Sequence, residues 1–282
     1  MQNDPLIIFT DLDGTLLDLH SYSYEGTESA LSKIQKRNIP LIFCSSKTRT
    51  EQEFYQRELG IDHPFIVENG GAIFIRKDYF RFEYEHQKSN ATYHVIEIGM
   101  SYKMIREKLT KIKNENGFKF NGYGDMSVDE VSALTGLDWE AAQRAMTREY
   151  SETINYVDSA EELHKLKLAL QRQELQCSHG GRLQTVTATS NDKGKAVRIL
   201  KNMYHKAFGS INTAGIGDAM NDLPFLSEVE YPILMQRPQE TWPVLSLPNL
   251  RKIPGSGPEV WSRIISELLD SEAAAMKFPN VK

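Results

Sequence analysis

The chain has 282 residues, 40% hydrophobic and 25% charged, the proportions of an ordinary folded protein, which excludes collagen-like, low-complexity and disordered classes. Its 33 Lys+Arg against 38 Asp+Glu leave a formal charge of −5, so no basic excess exists to neutralise a nucleic-acid backbone and nucleic acid is not expected as a partner. At about 150 residues per domain the length suggests two domains.

Leu6–Thr10 is a short, wholly apolar run and reads as a buried parallel strand. Residues 24–38 carry Ala30, Leu31 and Ile34 on one helical face, 39–44 form a second apolar run, and 48–59 read as a helix stopped by Gly60. Phe65–Val67 is a third strand, followed by the turn Asn69-Gly70-Gly71, with 72–75 and 79–84 as hairpin arms. This βαβαβ order argues a doubly wound α/β unit. The pattern then changes. Residues 94–98 read as a strand and 101–113 as a helix. Ser127-Val128-Asp129-Glu130 and Ser159-Ala160-Glu161-Glu162 are capping boxes, with a helix over 138–150 between them and one over 163–170 after the second. A strand returns over 183–189. The α/β rhythm resumes with a helix over 194–208, the strand Asn212–Gly217, a helix over 221–229, the strand Tyr231–Met235 and the helix Pro258–Asp270. The expected fold class is α/β: a Rossmann-like parallel-sheet core over residues 1–85 and 190–282, interrupted by an inserted α+β cap domain over 86–189.

Cys44 and Cys177 lie far apart in apolar stretches and read as buried hydrophobes in a reducing compartment. No Cys-x-x-Cys occurs and no histidine stands at metal-ligand spacing from another, so zinc is not expected. The first residues carry no positive region, and no apolar run approaches the roughly 18 residues of a membrane span. A cytoplasmic location and no membrane partner are expected.

Four motifs carry chemistry. Asp11-Leu12-Asp13-Gly14-Thr15 follows the first strand, at the carboxyl end where ligands bind in open α/β sheets. Two acids there are costly unless a cation or proton compensates them. Gly215-Ile216-Gly217-Asp218-Ala219-Met220-Asn221-Asp222 also follows a strand and brings Asp218 and Asp222 to the same sheet edge; it lacks the third glycine of a dinucleotide fingerprint. Ser45-Ser46-Lys47-Thr48 puts a hydroxyl and a cation at another strand end. Asp192-Lys193-Gly194-Lys195 opens a helix, where an ammonium and free backbone N–H groups suit phosphate. Charge decides what these groups surround. A phosphate ester brings about two negative charges, and Asp11 and Asp218 add two more, with Asp13 protonated. Lys193 and Lys47 balance half of the total, and one Mg²⁺ balances the rest. Oxygen-only ligands beside phosphate point to Mg²⁺.

In this order the motifs resemble the haloacid dehalogenase superfamily of phosphohydrolases. The resemblance implies Asp11 as nucleophile, Asp13 as general acid/base, Ser45 and Lys193 as phosphate-holding catalytic groups, and Asp11, Asp13, Asp218 and Asp222 as the metal set. The middle segment resembles the large cap of the sugar-phosphatase branch. Ser45-Ser46-Lys47-Thr48-Arg49-Thr50-Glu51, Glu68-Asn69-Gly70-Gly71, Gly124-Asp125-Met126-Ser127, Leu134-Thr135-Gly136-Leu137 and Arg148-Glu149-Tyr150-Ser151-Glu152 resemble mannosyl-3-phosphoglycerate phosphatases more closely. That likeness implies a small-molecule phosphorylated sugar-glycerate substrate, hydrolysed to mannosylglycerate, a compatible solute. It also implies substrate contacts from Ser46, Lys47, Glu68, Asn69, Gly70 and Asn221. A substrate carboxylate would need a further cation, for which Arg182, Arg144 and Arg148 are candidates. A sucrose-phosphate or general hexose-phosphate phosphatase is the alternative within the superfamily. Outside the phosphatases, a phosphorylatable switch would have no use for Asp13, and a mutase usually carries a smaller, helical cap.

Overall fold

The computed structural model describes residues 4–155, 159–180, 183–237, 242 and 247–270. Its elements are β1 (Leu6–Thr10), α1 (Glu28–Lys36), β2 (Leu41–Cys44), α2 (Arg49–Leu59), β3 (Phe65–Val67), β4 (Ala72–Arg76), β5 (Lys88–Ser89) and β6 (Tyr93–Glu97). There follow α3 (Tyr102–Asn116), β7 (Asn121–Gly122), α4 (Val128–Thr135), α5 (Trp139–Met146), β8 (Ser151–Asn155), α6 (Ala160–Arg172), β9 (Leu175–Gly180) and β10 (Leu183–Ala188). The chain continues through α7 (Lys193–Phe208), β11 (Asn212–Gly217), α8 (Leu223–Leu226), β12 (Tyr231–Met235), β13 (Arg251–Ile253) and α9 (Pro258–Asp270).

Among the described residues, nine strands form one sheet in the order β13-β12-β11-β1-β2-β3-β4-β6-β5. All five side chains of β1 are buried, as expected of a strand covered on both faces, and it pairs in parallel with β11 on one side and β2 on the other. The sheet is parallel from β13 to β3 and antiparallel from β3 through β4 and β6 to β5. Helix α2 starts where its sequence says it should. Thr48 accepts from the Glu51 N–H, Glu51 accepts in return from the Thr48 N–H, and Gly60 closes the helix in the left-handed region at φ 64°.

The hairpin expected from 72–75 and 79–84 forms differently. The partner of β4 is β6, and residues 79–84 make no strand. Their aromatic rings are used in packing instead: Tyr79 and Phe80 stand edge-on to Tyr204 of α7, and the Tyr79 and Tyr204 hydroxyls lie 2.6 Å apart. The boundary expected at residue 85 is corrected in consequence. Residues 88–97, assigned from sequence to the inserted domain, add two strands to the large sheet, because Val95 and Ile96 bury in the same cluster as Phe74. The helix expected over 221–229 is also shorter: a 3₁₀ turn at Met220–Asp222 leads into α8, which carries Pro224.

The chain leaves the large sheet after Ile98 and returns to it through α7 and β11. Between lies a second, four-stranded sheet, β7-β8-β10-β9. Strands β8 and β9 carry no sustained apolar alternation in the sequence; β8 reads Ser-Glu-Thr-Ile-Asn, whose polar residues hide its burial. Helices α3 and α6 cover this sheet around Ile105, Leu109, Leu166 and Leu170, while α4 and α5 close a smaller cluster around Tyr123, Val131 and Ala142. Ser127 and Asp138 cap α4 and α5. Midway through this segment the chain touches the core again. Tyr150 is fully buried in the main cluster and its hydroxyl donates to Glu97 Oε1 at 2.8 Å. Asn191 Nδ2 donates to the carbonyls of Glu68 and Tyr150. Both cysteines are free thiols, Cys44 buried and Cys177 partly so. No helix is long and apolar enough to cross a membrane among the described residues.

Candidate active site

The carboxyl ends of the parallel strands assemble one cluster of charge. Asp11 stands one residue beyond β1, Ser45 one beyond β2 and Asp218 one beyond β11. Carboxylate oxygens of Asp11, Asp218 and Asp222 all lie within 4.8 Å of one another, and the three residues are buried. Lys193, at the first position of α7, reaches across with its ammonium 2.8 Å from Asp11 Oδ1 and 2.7 Å from Asp222 Oδ1. Gly14 makes the approach possible. Its backbone is left-handed at φ +79°, and a Cβ there would stand 2.2 Å from Asp218 Oδ2, so the turn after the two aspartates has to be glycine.

Each titratable group is held by its surroundings. Burial pushes the Asp11 carboxyl well above the usual range; Lys193 opposes this, while Asp222 and Asp218 add to it. Burial and then Asp222 push Asp218 up to about 7, against the hydrogen bond and charge of Arg237. Burial works against the Lys193 ammonium, yet Asp11 and Asp222 carry it above the ordinary lysine value. Arg237 Nε donates to Asp218 Oδ2 at 2.7 Å. Sequence reasoning missed this arginine. Its signal was position: it lies two residues past the end of β12, at the same sheet edge.

The donor set fits the divalent ion expected from the sequence. Three carboxylates face two cations, Lys193 and Arg237, which leaves one negative charge over before any anionic ligand arrives. Buried oxygen-only donors with residual negative charge suit a hard dication such as Mg²⁺. Both oxygens of Asp222 are engaged, Oδ1 by Lys193 and Oδ2 by the N–H groups of Asp218 and Ala219. Arg237 likewise reaches both oxygens of Asp218, Nε to Oδ2 at 2.7 Å and Nη2 to Oδ1 at 3.4 Å, so an ion would be shared between Asp11 and an Asp218 already tied to this arginine.

Asp13 departs from the expected metal set. Its carboxylate stands outside the triad and pairs with Lys47 at 3.0 Å. Lys47, buried, also lies 3.4 Å from Glu51 and 4.6 Å from the Tyr22 ring centroid. Lys47 thus stands between two protein carboxylates; with Asp13 carrying a proton, Glu51 still balances it, so it is not the free phosphate cation that the charge count assumed. Two other expectations change. The N–H groups of Gly194 and Lys195 are capped by Asp192 Oδ1, so the α7 terminus does not present them to a phosphate. Glu68, expected to touch substrate, is fully buried and accepts from the Glu149 N–H, the Tyr150 N–H and the Ser151 hydroxyl.

The remaining predicted residues distribute as follows. Ser45 Oγ accepts from the Lys47 N–H at 3.3 Å, and Ser46 is half-buried at the cleft. Asn221 Nδ2 donates to Asn69 Oδ1 at 3.1 Å, so these two residues meet. Gly70 serves packing: a Cβ there would lie 2.3 Å from the Asp192 carbonyl carbon. Arg144 stacks its guanidinium 4.2 Å from the Phe54 ring centroid. Arg182 lies outside the described residues.

Two connected hollows separate the core from the inserted segment. One, about 270 Å³, is lined by Asp13, Ser46, Lys47, Tyr123, Thr135 and Arg148. The other, about 520 Å³, shares Tyr22, Lys47, Glu51 and Thr135 with it and extends to Phe54 and Arg144. A hollow of about 400 Å³ near Pro40, Gly60 and His63 lies at the opposite, amino-terminal ends of β2 and β3 and holds none of these groups.

Residues 8–241 match the family model of haloacid dehalogenase-like hydrolases. The chain is 43% identical over 264 residues to a glucosyl-3-phosphoglycerate/mannosyl-3-phosphoglycerate phosphatase of Methanococcoides burtonii, covering 93% of this chain and 97% of that one. It is 36% identical to the protein of the same name from Persephonella marina, over 94% and 97% of the two chains. A mannosyl-3-phosphoglycerate phosphatase of Pyrococcus horikoshii is 39% identical over 79% of this chain and 88% of its own length. Among solved structures, a superfamily phosphatase from Bacteroides thetaiotaomicron superposes with a TM-score of 0.63 at 14% identity, covering 94% of each chain. A Thermoplasma acidophilum protein gives 0.63 at 16% identity, over 95% and 97%. These two likenesses show the fold.

Proposed function

The chain belongs to the haloacid dehalogenase-like hydrolases, and from that premise we propose that it is a Mg²⁺-dependent phosphatase of glycosyl-3-phosphoglycerates, mannosyl or glucosyl. The observation that carries this reading is Lys193 bridging Asp11 and Asp222 at the sheet edge, with Asp11 two residues along the chain from Asp13, which lines the cleft. The names of relatives that match nearly end to end support the substrate.

The residues divide the work. Asp11, fixed by Lys193, attacks phosphorus through a carboxylate oxygen; the ester P–O bond breaks and an aspartyl-phosphate forms. Asp13 gives its proton to the departing alkoxide, then takes one from the water that attacks the same phosphorus. Phosphate leaves and the Asp11 carboxylate is restored. Lys193 and the Ser45 region hold the equatorial oxygens while charge shifts between them. Asp11 and Asp218 would hold Mg²⁺, which when bound would supply positive charge between the two anions. Residues 99–190 act as the cap that excludes water and reads the sugar.

The direct test is phosphate release from mannosyl- and glucosyl-3-phosphoglycerate, sucrose phosphate and simple hexose phosphates, with Mg²⁺ and then with excess chelator. Preferred turnover of the glycosyl-phosphoglycerates, abolished by chelation and restored by Mg²⁺ better than by Ca²⁺, is the expected outcome. Preferred turnover of sucrose phosphate or a hexose phosphate would overturn the substrate, and full activity in chelator would overturn the metal.

A further inference from the structure

The wall of the cleft carries two cations beside Asp13, and they are treated differently. Lys47 is matched by Asp13 and Glu51. Arg148 lines the same hollow, and among the described residues no carboxylate lies within 4.0 Å of it. Its Nε is buried without a hydrogen-bond partner. A buried guanidinium N–H left unpaired is unfavourable, the more so for a charged group, so an acceptor brought to it by a ligand is favoured. Arg144 is the less suited of the two, because it stacks on Phe54 and lines the outer hollow.

Arg148 is not loose. Its Nη1 donates to Ser151 Oγ at 2.8 Å, and its guanidinium lies 5.6 Å from the Tyr123 ring centroid. The Ser151 hydroxyl donates in turn to Glu68 Oε2. Glu68 Oε2 also accepts from the Tyr150 N–H at 3.0 Å, and Oε1 from the Glu149 N–H at 2.9 Å. Glu68 stands directly after β3 at φ +49°, a left-handed conformation unfavourable to a non-glycine residue. Three donors from the inserted segment thus converge on one core carboxylate held in a strained turn.

We infer that Glu68 is a positioning residue: through Ser151 it aims Arg148 into the cleft beside Asp13, where the guanidinium binds a second anionic group of the substrate, a carboxylate. This rests on the phosphoglycerate reading above. Only a carboxylate suits position 68, since a glutamine would turn an NH₂ group against one of the three donors. The arrangement couples recognition to cap placement, because Glu68 holds the same stretch of chain, residues 149–151, that carries Tyr150 into the core.

The test compares 3-phosphoglycerate with glycerol 3-phosphate as inhibitors of aryl phosphate hydrolysis by the full chain. The two share a phosphate and differ by a carboxylate. The wild-type protein should bind the carboxylate-bearing ester at least about tenfold more tightly, the size of one charge-assisted hydrogen bond. That ratio should collapse towards one in Arg148→Met and survive in part in Arg148→Lys. It should fall by about three- to tenfold in Glu68→Gln and Ser151→Ala. If Glu68→Gln does not fold, Ser151→Ala carries the test. A wild-type ratio near one, an unchanged ratio in Arg148→Met or Ser151→Ala, or equal weakening of both inhibitors would overturn the inference. A ratio that collapses as expected in a protein that leaves glycosyl-3-phosphoglycerates intact would overturn the named substrate and leave the Arg148 assignment standing.

Discussion

The floor of the cleft and its roof are built on different principles. The floor takes its groups from the ends of β1, β2 and β11 and from the start of α7, all anchored in one continuous core. Its charges are buried and interlocked: Lys193 and Asp222 are each almost wholly enclosed. The roof takes its groups from turns and helix ends of the inserted segment, which has two smaller cores of its own. It meets the floor through the buried Tyr150 ring and a few polar ties, among them Glu68 with 149–151, Asn191 with Tyr150, and the Thr48 hydroxyl with the Arg144 carbonyl. Chemistry that needs sub-ångström placement sits on rigid strand ends. Recognition sits on a piece attached by bonds that can be broken and remade.

The difference can be broken most severely at its centre. Asp11→Asn should lower kcat by about a thousandfold or more, since the amide is a far weaker nucleophile. Thermal melting should show the protein still folded, and steady-state phosphate release gives the rate. Retention of a tenth of wild-type turnover would remove Asp11 from the nucleophile's role.

Next comes the cation of the floor. Lys193→Met leaves Asp11 and Asp222 buried without their shared partner, a change that typically costs about 3–5 kcal/mol. Urea denaturation should register a loss of that order. A midpoint equal to wild type would mean that the two carboxylates are compensated by something other than this lysine.

The far edge of the same sheet offers a contrast by pH. Burial pulls the His63 imidazole down to about 4, and its Nδ1 lies 2.9 Å from the Tyr79 hydroxyl. The unfolded chain titrates this group near 6.5, so between those values it binds the extra proton. Stability therefore falls as pH drops from about 6.5 towards 4, by roughly 3 kcal/mol from this residue. His63→Gln should flatten that part of the stability curve. An unchanged slope would assign the acid sensitivity elsewhere.

The smallest effects separate the roof from its attachment. Ser127 caps α4 wholly within the inserted segment, and Ser127→Ala should cost about 1 kcal/mol. Thr48 caps α2 and also donates to the Arg144 carbonyl across the cleft, so Thr48→Ala should cost roughly 2 kcal/mol. Hydrogen exchange should show the first loss confined to α4 and the second spread to both sides of the interface. Equal, local effects would mean that the Thr48 tie does not join the two parts.

The sequence by itself determined those elements whose cause is local. Leu6–Thr10, Asn212–Gly217, Tyr231–Met235 and Pro258–Asp270 form with the boundaries read from their apolar runs and flanking signals. The Ser127 capping box is present as read, and Ser159 caps α6 by accepting from the Glu162 N–H. Asp11, Lys193, Asp218 and Asp222 were legible as one cluster because each stands at a strand or helix end, and parallel strands bring their carboxyl ends to one edge. Tertiary structure alone decided the partnerships. It gave β4 to β6 instead of 79–84, and moved residues 88–97 into the core sheet. It turned Asp13 and Lys47 towards each other, set Arg237 against Asp218, and committed Glu68 to three donors more than eighty positions along the chain. The physical reason is range. Propensity, capping and burial periodicity act within about one or two turns of chain, whereas the partner a buried charge finds depends on which distant segments packing brings within about 3 Å.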